Sequence, residues 1–339
     1  MDSTISILDG SVKIPMSYFE EKSHVSDGDT VVVSGTLIEG IGNSHSDLDG
    51  LVLCNQRPKI ATIASDAHVS MSDEAYNPNA ADAELHNTYD FYGDSGIHVD
   101  FDYILFSEVE RLISKINETF EDLITDQRIL YEPIMKTKED RFIHRLFIAV
   151  PVVNSDTFTS LRARIPFDRF RYVSARELQA NFYYYQDVQG TWMADEWRMA
   201  QETARELLVT QLRAFLQMAG LTNKHRKWLY TCVTQVPGND GAFVRRCADH
   251  LLRLGQDKDA AYAFIVTAME MLDELFRRGV QYQEQTPGFP SPQDCVAQLE
   301  TEFSKRNQND HALAREEFEF RLKALHPQGT RSLKDMLFC

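Results

Sequence analysis

The stretch from Ser34 to Leu53, SGTLIEGIGNSHSDLDGLVL, places the tightest constraint on how this chain can fold. A β-branched run, Thr30 to Val33, leads into it, and an apolar run, Leu48 to Cys54, completes it. The residues between these runs are rich in glycine and small polar side chains, which favour turns. The pattern therefore predicts two strands joined by a glycine-rich turn.

The rest of the first half predicts a mixed α/β arrangement. His98 to Phe106 begins with alternating polar and apolar residues and then becomes apolar, as a strand does. Glu108 to Leu123 has apolar residues at helical spacing, and Arg128 to Tyr131 is a candidate closing strand. Residues 67–96, rich in Asn, Asp, Ser and Ala, predict a long surface loop.

The pattern changes to helices after about residue 139, and we predict a boundary there. Helices are expected over residues 196–218, 225–236, 242–254, 258–278 and 311–325. The predicted fold class is α/β (α+β): a small mixed sheet with flanking helices over residues 1–138, followed by an all-α domain over residues 139–339. A chain of 339 residues is long enough for two such cores.

The net charge of −16 comes entirely from the first half of the chain. Residues 1–150 carry 27 Asp and Glu against 11 Lys and Arg, whereas residues 151–339 carry 24 of each. Such a surface repels a long nucleic acid, so we expect no long nucleic-acid partner. A cationic small molecule, or a nucleotide bound with Mg²⁺, remains compatible with it.

The chain gives no sign of export or of a membrane span. Its N-terminus lacks a basic and apolar leader, and no apolar run approaches 18 residues. The five cysteines are widely spaced, which argues against a disulfide framework or a cysteine-based zinc site. We therefore expect a cytoplasmic protein with no membrane partner; the oligomeric state stays open.

The candidate chemistry lies in acidic side chains on two predicted strands. Asp47 and Asp49 are two residues apart, so on a strand they share one face, about 6.6 Å apart along it. Asp100 and Asp102 repeat this spacing on the next predicted strand. Two carboxylates on one face repel each other unless they are solvated or hold a divalent cation, and Mg²⁺ suits such a pair. We interpret His98 as a strand-edge histidine rather than a ligand.

This constellation resembles the polymerase-beta-like nucleotidyltransferase superfamily, in which a small Gly-Ser turn precedes an Asp-x-Asp pair and a later strand carries a third Asp. Gly35 and Thr36 match the turn, with Thr in place of the usual Ser. Asp47 and Asp49 match the pair, and Asp100 best matches the third position, with Asp102 in reserve. The helical part is similar, more loosely, to aminoglycoside nucleotidyltransferases of the kanamycin type.

The resemblance implies catalytic residues Asp47, Asp49 and Asp100, two Mg²⁺ ions, and ATP or another nucleoside triphosphate as substrate. The metal ligands would be these three aspartates with Asp102. The groups expected to contact the nucleotide are Ser34, Gly35, Thr36, Ser46 and Lys227. Lys224 is the alternative to Lys227, because the family often places a lysine of the helical domain on the triphosphate.

The predicted activity is transfer of a nucleoside monophosphate, AMP from ATP, to a hydroxyl of a small-molecule acceptor of the aminoglycoside or natural-product type. Pyrophosphate is released. Three alternatives stay open: nucleotidylation of a protein or a tRNA end, synthesis of a nucleotide second messenger, and an inactive nucleotidyltransferase fold that only binds. No GxSxG, HExxH or Walker A pattern supports a hydrolase triad, a zincin or a P-loop ATPase.

Overall fold

The computed structural model describes residues 3–59, 68–69, 84–126, 135–305 and 312–337. The chain divides into two compact units, which are described separately. The first contains Met1–Lys115 and Thr137–Pro166, and the second contains Ile116–Lys136 and Phe167–Cys339.

The first unit contains a two-stranded hairpin and a mixed sheet, with helices between the strands. The hairpin consists of β1 (Thr4–Ile7) and β2 (Val12–Pro15). The sheet strands are β3 (Thr30–Ser34), β4 (Leu48–Cys54), β5 (His68–Val69), β6 (Asn87–Tyr92), β7 (Ile97–Leu105) and β8 (Val150–Val153). The helices are α1 (Met16–Lys22), α2 (Phe106–Thr125), which continues into the second unit, α3 (Thr137–Ile148) and α4 (Ser155–Arg162).

The sheet has the strand order β5-β6-β7-β4-β3-β8. Its central pair, β4 and β7, is parallel, and the other neighbouring pairs are antiparallel. Parallel neighbours require a crossover between them, and here the chain leaves β4 at Cys54 and returns along β7 only from Ile97. The start of both strands therefore lies at the same edge of the sheet.

One face of this sheet packs on the core of the unit. Alternate residues of β3, β4 and β7 point to it, because successive side chains of a strand face opposite ways. This core consists largely of branched aliphatic and aromatic residues and includes Val31, Val33, Leu48, Val52, Val99, Phe101 and Tyr103. The residues between them in sequence face the other side, where acidic residues are found.

Gly50 of β4 lies in close contact with β7. A Cβ atom at this position would lie 2.7 Å from the Asp100 carbonyl oxygen and 2.8 Å from the Phe101 ring. The two strands can therefore keep their register only with glycine here.

The second unit consists of helices. They are α5 (Phe167–Gln179), α6 (Phe182–Met193), α7 (Trp197–Met218), α8 (Leu229–Gln235), α9 (Gly238–His250), α10 (Lys258–Gln285), α11 (Pro292–Lys305), α12 (Ala312–Lys323) and α13 (Leu333–Leu337). The long helices α7 and α10 pack on each other, and α7 also packs on α5 and α6. Buried leucine and phenylalanine side chains such as Leu208, Phe215, Leu272 and Phe276 fill this core.

The predicted fold class is confirmed: a small mixed sheet with flanking helices precedes a helical region. The three strands expected from the sequence lie within one residue of their predicted ends. The helix expected over residues 242–254 begins earlier, at Gly238, and the one expected over 258–278 continues to Gln285. The candidate strand at 128–131 lies outside the described residues.

Strands β1, β2, β5, β6 and β8 were not expected from the sequence, and two of them, β6 and β8, complete the sheet beside the predicted strands. Residues 87–92, predicted as part of a loop, form β6. They have no apolar pattern of their own, but pairing with β7 satisfies the hydrogen-bonding groups of their backbone. Residues 150–153 form β8 although they contain Pro151 and follow a helical pattern. A proline is tolerated there because β8 is an edge strand.

Strand β8 also affects where the two parts of the chain divide. A single domain boundary after residue 138, as predicted from the sequence, would assign nearly all of α3, together with β8 and α4, to the helical part. The structure instead groups residues 137–166 with the sheet. The reason is that β8 pairs with β3, and the Thr30 hydroxyl donates a hydrogen bond of 2.7 Å to the Val153 carbonyl.

Neither a membrane span nor a reactive thiol stands out in the described part of the chain. Among the described helices, none is both long enough and apolar enough to cross a bilayer. The four cysteines within the described residues, Cys54, Cys232, Cys247 and Cys295, are buried free thiols. Burial raises the pKa of Cys54 to about 11 and that of Cys247 to about 12, so both stay protonated and weakly nucleophilic.

Replacement of glycine by alanine is expected to have opposite effects on stability at Gly50 and at Gly190. Gly50→Ala is expected to destabilise the first unit by about 1–3 kcal/mol, because the methyl group pushes β4 away from β7. Gly190→Ala, in α6, is the matched control: beyond its own helix backbone, no heavy atom lies within 4 Å of the point where the methyl group would lie. It is expected to stabilise by up to about 1 kcal/mol through helix propensity. Urea unfolding of each variant measures both effects, and a Gly50→Ala protein as stable as wild type would contradict the packing argument.

Candidate functional site

A row of polar side chains crosses the sheet on the face opposite the core. Asp49 of β4 is in register with Ser34 of β3 on one side and with Asp100 of β7 on the other. Residues opposite each other on neighbouring strands project from the same face. The parallel pairing of β4 and β7 thus brings the Asp-x-Asp pair and the later aspartates onto one surface.

Asp47, His98 and Asp100 form the first group on this surface. Their ligand atoms all lie within 4.8 Å of one another. The His98 Nδ1 atom is 3.5 Å from an Asp47 carboxylate oxygen and 3.6 Å from an Asp100 carboxylate oxygen. Asp47 is largely exposed, whereas His98 and Asp100 are half-buried.

His98 belongs to this group, although we interpreted it from the sequence as a strand-edge histidine. The rings of Tyr89 and Phe91 on β6 each lie with their centroids 5.2 Å from that of His98 and restrict its orientation. The signal that could have found it is the strand alternation, because His98, Asp100 and Asp102 occupy every second position of β7.

Asp49 and Asp102 form a second group, joined by Arg145 of α3. The Arg145 guanidinium donates to Asp49 Oδ1 at 2.6 Å and to Asp102 Oδ2 at 3.2 Å. The other oxygen of Asp102 accepts a hydrogen bond of 2.8 Å from the Asn87 side-chain amide. Of the two candidates for the third carboxylate, Asp100 therefore lies with Asp47, and Asp102 lies with Arg145.

Gly35 is required by its contact with Asp49. Its backbone has φ +85°, and a Cβ atom there would lie 2.0 Å from Asp49 Oδ2. The chain then makes a tight turn in which the Thr36 carbonyl accepts hydrogen bonds from the backbone N–H groups of Ile41 and Gly42. This turn stands in place of a helix, so it offers no helix N-terminus for a phosphate.

Ser34 and Ser46, two of the hydroxyl-bearing residues expected to contact a nucleotide, have protein partners. Ser34 is fully buried, and its hydroxyl donates a 2.8 Å hydrogen bond to the Arg145 carbonyl. The Ser46 hydroxyl accepts a 3.0 Å hydrogen bond from the Asn43 backbone N–H, which closes the loop before β4. Thr36 is half-buried in the turn. Their roles in nucleotide binding stay predictions.

Lys227 belongs to the second unit, in a short 3₁₀ turn before α8. It is exposed, and its ammonium group lies 5.0 Å from the centroid of the Trp228 ring. The reserve residue, Lys224, lies 3.8 Å from a carboxylate oxygen of Glu177 in the same unit. A contact between either lysine and a triphosphate stays a prediction.

The pKa values of two site carboxylates are raised. Burial is the main cause for Asp100, and the neighbouring carboxylates of Asp102, Asp49 and Asp47 add to it, so its pKa reaches about 6 although His98 opposes the shift. Burial also raises the pKa of Asp49, and Arg145 partly offsets this. At both carboxylates, burial and like charge together outweigh the nearby basic group.

The donor set fits a divalent cation. Carboxylate oxygens are the ligands that Mg²⁺ and Mn²⁺ prefer, and an imidazole nitrogen is a common ligand for later transition metals. A cation near Asp47, His98 and Asp100 would relieve the repulsion that raises the pKa of Asp100. These three residues would hold it, and Asp49 lies directly beside them.

No protein-family model matches the chain, and no curated protein matches it. One solved structure with a similar arrangement is that of a nucleotidyltransferase-like protein from Exiguobacterium sibiricum. The similarity has a TM-score of 0.37 and 10% sequence identity, and it covers 80% of this chain and 79% of the other.

The raised pKa of Asp100 predicts a pH-dependent gain in stability when its charge is removed. The folded protein holds the Asp100 proton up to about pH 6, whereas the unfolded chain releases it near 3.8. The free energy of unfolding therefore falls as the pH rises through this window, and the loss is complete above it. In the presence of a chelator, Asp100→Asn is expected to be about 1–2 kcal/mol more stable than wild type at pH 8 and to lose this advantage near pH 4.

Urea unfolding at a series of pH values measures this difference. Asp90→Asn is the matched control, because Asp90 lies on β6 with its carboxylate near Lys22 and the Tyr18 hydroxyl, on the other side of the sheet. It should give no stabilisation at pH 8. A gain for Asp100→Asn that is equal at pH 4 and pH 8 would show that the carboxylate charge is not its cause.

Proposed function

We propose that this protein is an enzyme that transfers a nucleoside monophosphate from a nucleoside triphosphate to a hydroxyl group and releases pyrophosphate. The observation that carries the proposal is the convergence of Asp47, which immediately precedes β4, with Asp100 and His98 of the adjacent parallel strand β7, beside the turn at Gly35. The Gly-Thr turn, the Asp-x-Asp pair and the later aspartate are the features on which the resemblance to nucleotidyltransferases rests. Their convergence is what such chemistry requires.

Each residue of the site has a task in this proposal. Asp47, Asp49 and Asp100 hold the metal, with His98 as a further ligand. Gly35 leaves room for the Asp49 carboxylate, whose Oδ2 atom lies where a Cβ atom would otherwise be. When bound, a divalent cation neutralises the triphosphate and lowers the pKa of the attacking hydroxyl. Asp100 is placed to accept the proton of that hydroxyl, since it lies among the ligands and is half-buried.

The metal is proposed to be Mg²⁺, two ions in the complete complex, and the nucleotide ATP. Two carboxylates with substrate phosphates are a usual ligand set for Mg²⁺. The imidazole of His98 also makes Mn²⁺ a suitable ion for the same site. Both choices are tested by replacing ATP with the other nucleoside triphosphates, and Mg²⁺ with Mn²⁺, in a nucleotide-transfer assay.

The acceptor is proposed to be a small, cationic molecule with a free hydroxyl, of the aminoglycoside or natural-product kind. The support is electrostatic: the excess negative charge of the chain lies within residues 1–150, which include the site carboxylates. This charge attracts a polyamine-like sugar and repels a long polyanion. Nucleotidylation of a protein or of a tRNA end uses the same chemistry and is distinguished by the acceptor that becomes labelled.

Incubation with α-labelled ATP, Mg²⁺ and a panel of hydroxylated acceptors tests the proposal. The α-label is expected on the acceptor, and the β- and γ-phosphates are expected together in pyrophosphate. Asp47→Asn and Asp100→Asn should each reduce transfer by more than the roughly 10–100-fold that loss of an outer-shell partner of a metal site costs. Asp90→Asn, on the opposite face of the sheet, should retain wild-type transfer.

Two results would contradict the proposal. Transfer of a γ-label to the acceptor would mean that the protein is a kinase. Equal nucleotide binding by wild type and by the Asp47→Ala/Asp49→Ala variant, with no dependence on metal in calorimetry, would identify an inactive binding module.

A further inference from the structure

Arg145 lies between Asp49 and Asp102, two carboxylates that the resemblance to nucleotidyltransferases implies as metal ligands. Its two terminal nitrogens contact different aspartates, Asp49 at 2.6 Å and Asp102 at 3.2 Å. The side chains of Arg145, Asp49 and Asp102 are partly buried, with exposures of 31%, 18% and 35%. A guanidinium held in this way supplies positive charge where a divalent cation would otherwise supply it.

The position of Arg145 is fixed by its backbone. The buried Ser34 hydroxyl, at the end of β3, donates to the Arg145 carbonyl at 2.8 Å. At the end of α3, the Arg162 guanidinium donates to the carbonyls of Phe147, at 2.5 Å, and Ala149, at 3.3 Å. Helix α3 is therefore tied to the sheet close to the point where the Arg145 side chain reaches the carboxylates.

The carboxylates of the site differ in how their oxygens are used. Both Asp102 oxygens accept hydrogen bonds, from Asn87 and Arg145. One Asp49 oxygen accepts from Arg145, and the other fills the space above Gly35. Asp47 and Asp100 instead have the His98 ring as their neighbouring basic group, at 3.5 and 3.6 Å. The site thus divides into a pair of carboxylates whose charge is partly offset by a shared arginine, and a pair that shares only a histidine.

We propose that Arg145 takes the place of the second metal ion in the nucleotide-free protein, so that one divalent ion binds at Asp47, His98 and Asp100. A second ion binds only with a nucleoside triphosphate, when Asp49 exchanges Arg145 for that ion. This inference rests on the proposed function, and it makes Arg145 a positioning residue that couples metal binding to nucleotide binding. Because the second ion arrives with its nucleotide, the complete site forms only when substrate is present.

The number of bound Mn²⁺ ions, measured by electron paramagnetic resonance of free Mn²⁺, tests this. The full chain is titrated at low ionic strength, alone and with a non-hydrolysable ATP analogue. Wild type is expected to bind one ion alone and two with the analogue. Arg145→Gln is expected to bind two ions without any nucleotide, because Asp49 and Asp102 then lack their counter-charge.

Two further variants make the test specific to Arg145. Arg145→Lys keeps the charge but contacts only one carboxylate at a time, so its second ion should bind about tenfold more weakly than in Arg145→Gln and yet more tightly than in wild type. Arg57→Gln is the matched control, since it removes an arginine from Glu84 and Glu108 in the same unit. Arg57→Gln should bind the same number of Mn²⁺ ions as wild type, both alone and with the analogue.

The possible results separate this inference from the proposed function. Two ions bound by nucleotide-free wild type would overturn the inference and leave the proposed function standing. The inference would also be overturned if, without nucleotide, Arg145→Gln bound a second ion no more tightly than wild type does. If Arg145→Gln does not fold, the same result with Arg145→Lys would overturn it. Binding of no ion by wild type, with or without the analogue, would remove the proposed function and the inference together.

Discussion

The parallel register of β4 and β7 is the constraint on which the site depends. It places Asp49 directly beside Asp100 and brings four carboxylates onto one face of the sheet. Burial and like charge both oppose folding here: burial is the main cause of the raised pKa of Asp100, and the neighbouring carboxylates add to it. The apolar residues of the opposite face, such as Val52, Val99 and Phe101, provide the burial that holds the strands together against this repulsion.

The arrangement is typical of a binding site, in which charged groups that bind a ligand lower the stability of the fold. In a sheet with a purely structural role, we would expect neutral or oppositely charged side chains at the positions of Asp49 and Asp100. Like charges directly opposite each other on neighbouring strands destabilise a sheet. The protein offsets part of the repulsion with Arg145 and leaves the rest near Asp47 and Asp100. That remaining negative charge is what a divalent cation can use, and this is the physical basis of the proposed function.

The sequence predicts those features of the fold and site that depend on local patterns. The strands at Thr30, Leu48 and Ile97 and the shared face of Asp47 and Asp49 follow from alternation and from apolar runs. Strand β8 could not be predicted, because Pro151 and a neighbouring helical pattern argue against a strand, and only pairing with β3 stabilises it. His98 was within reach of the alternation argument. Arg145 was not, because it reaches Asp49 from a helix 96 positions away in the chain.

The contribution of Arg145 shows why the acidic motif alone does not determine how the site works. Four aspartates on one face suggest two metal ions, but the carboxylates here are not equivalent: Asp49 and Asp102 share an arginine, whereas Asp47 and Asp100 share a histidine. An arginine stays protonated in this setting, so its positive charge remains beside the carboxylates until the side chain moves away or another cation replaces it. A metal ion that arrives with the charge of a triphosphate already attached can make this exchange without building up excess positive charge. On the proposal made for Arg145, the order of binding follows from charge balance, with the nucleotide as the molecule that completes the site.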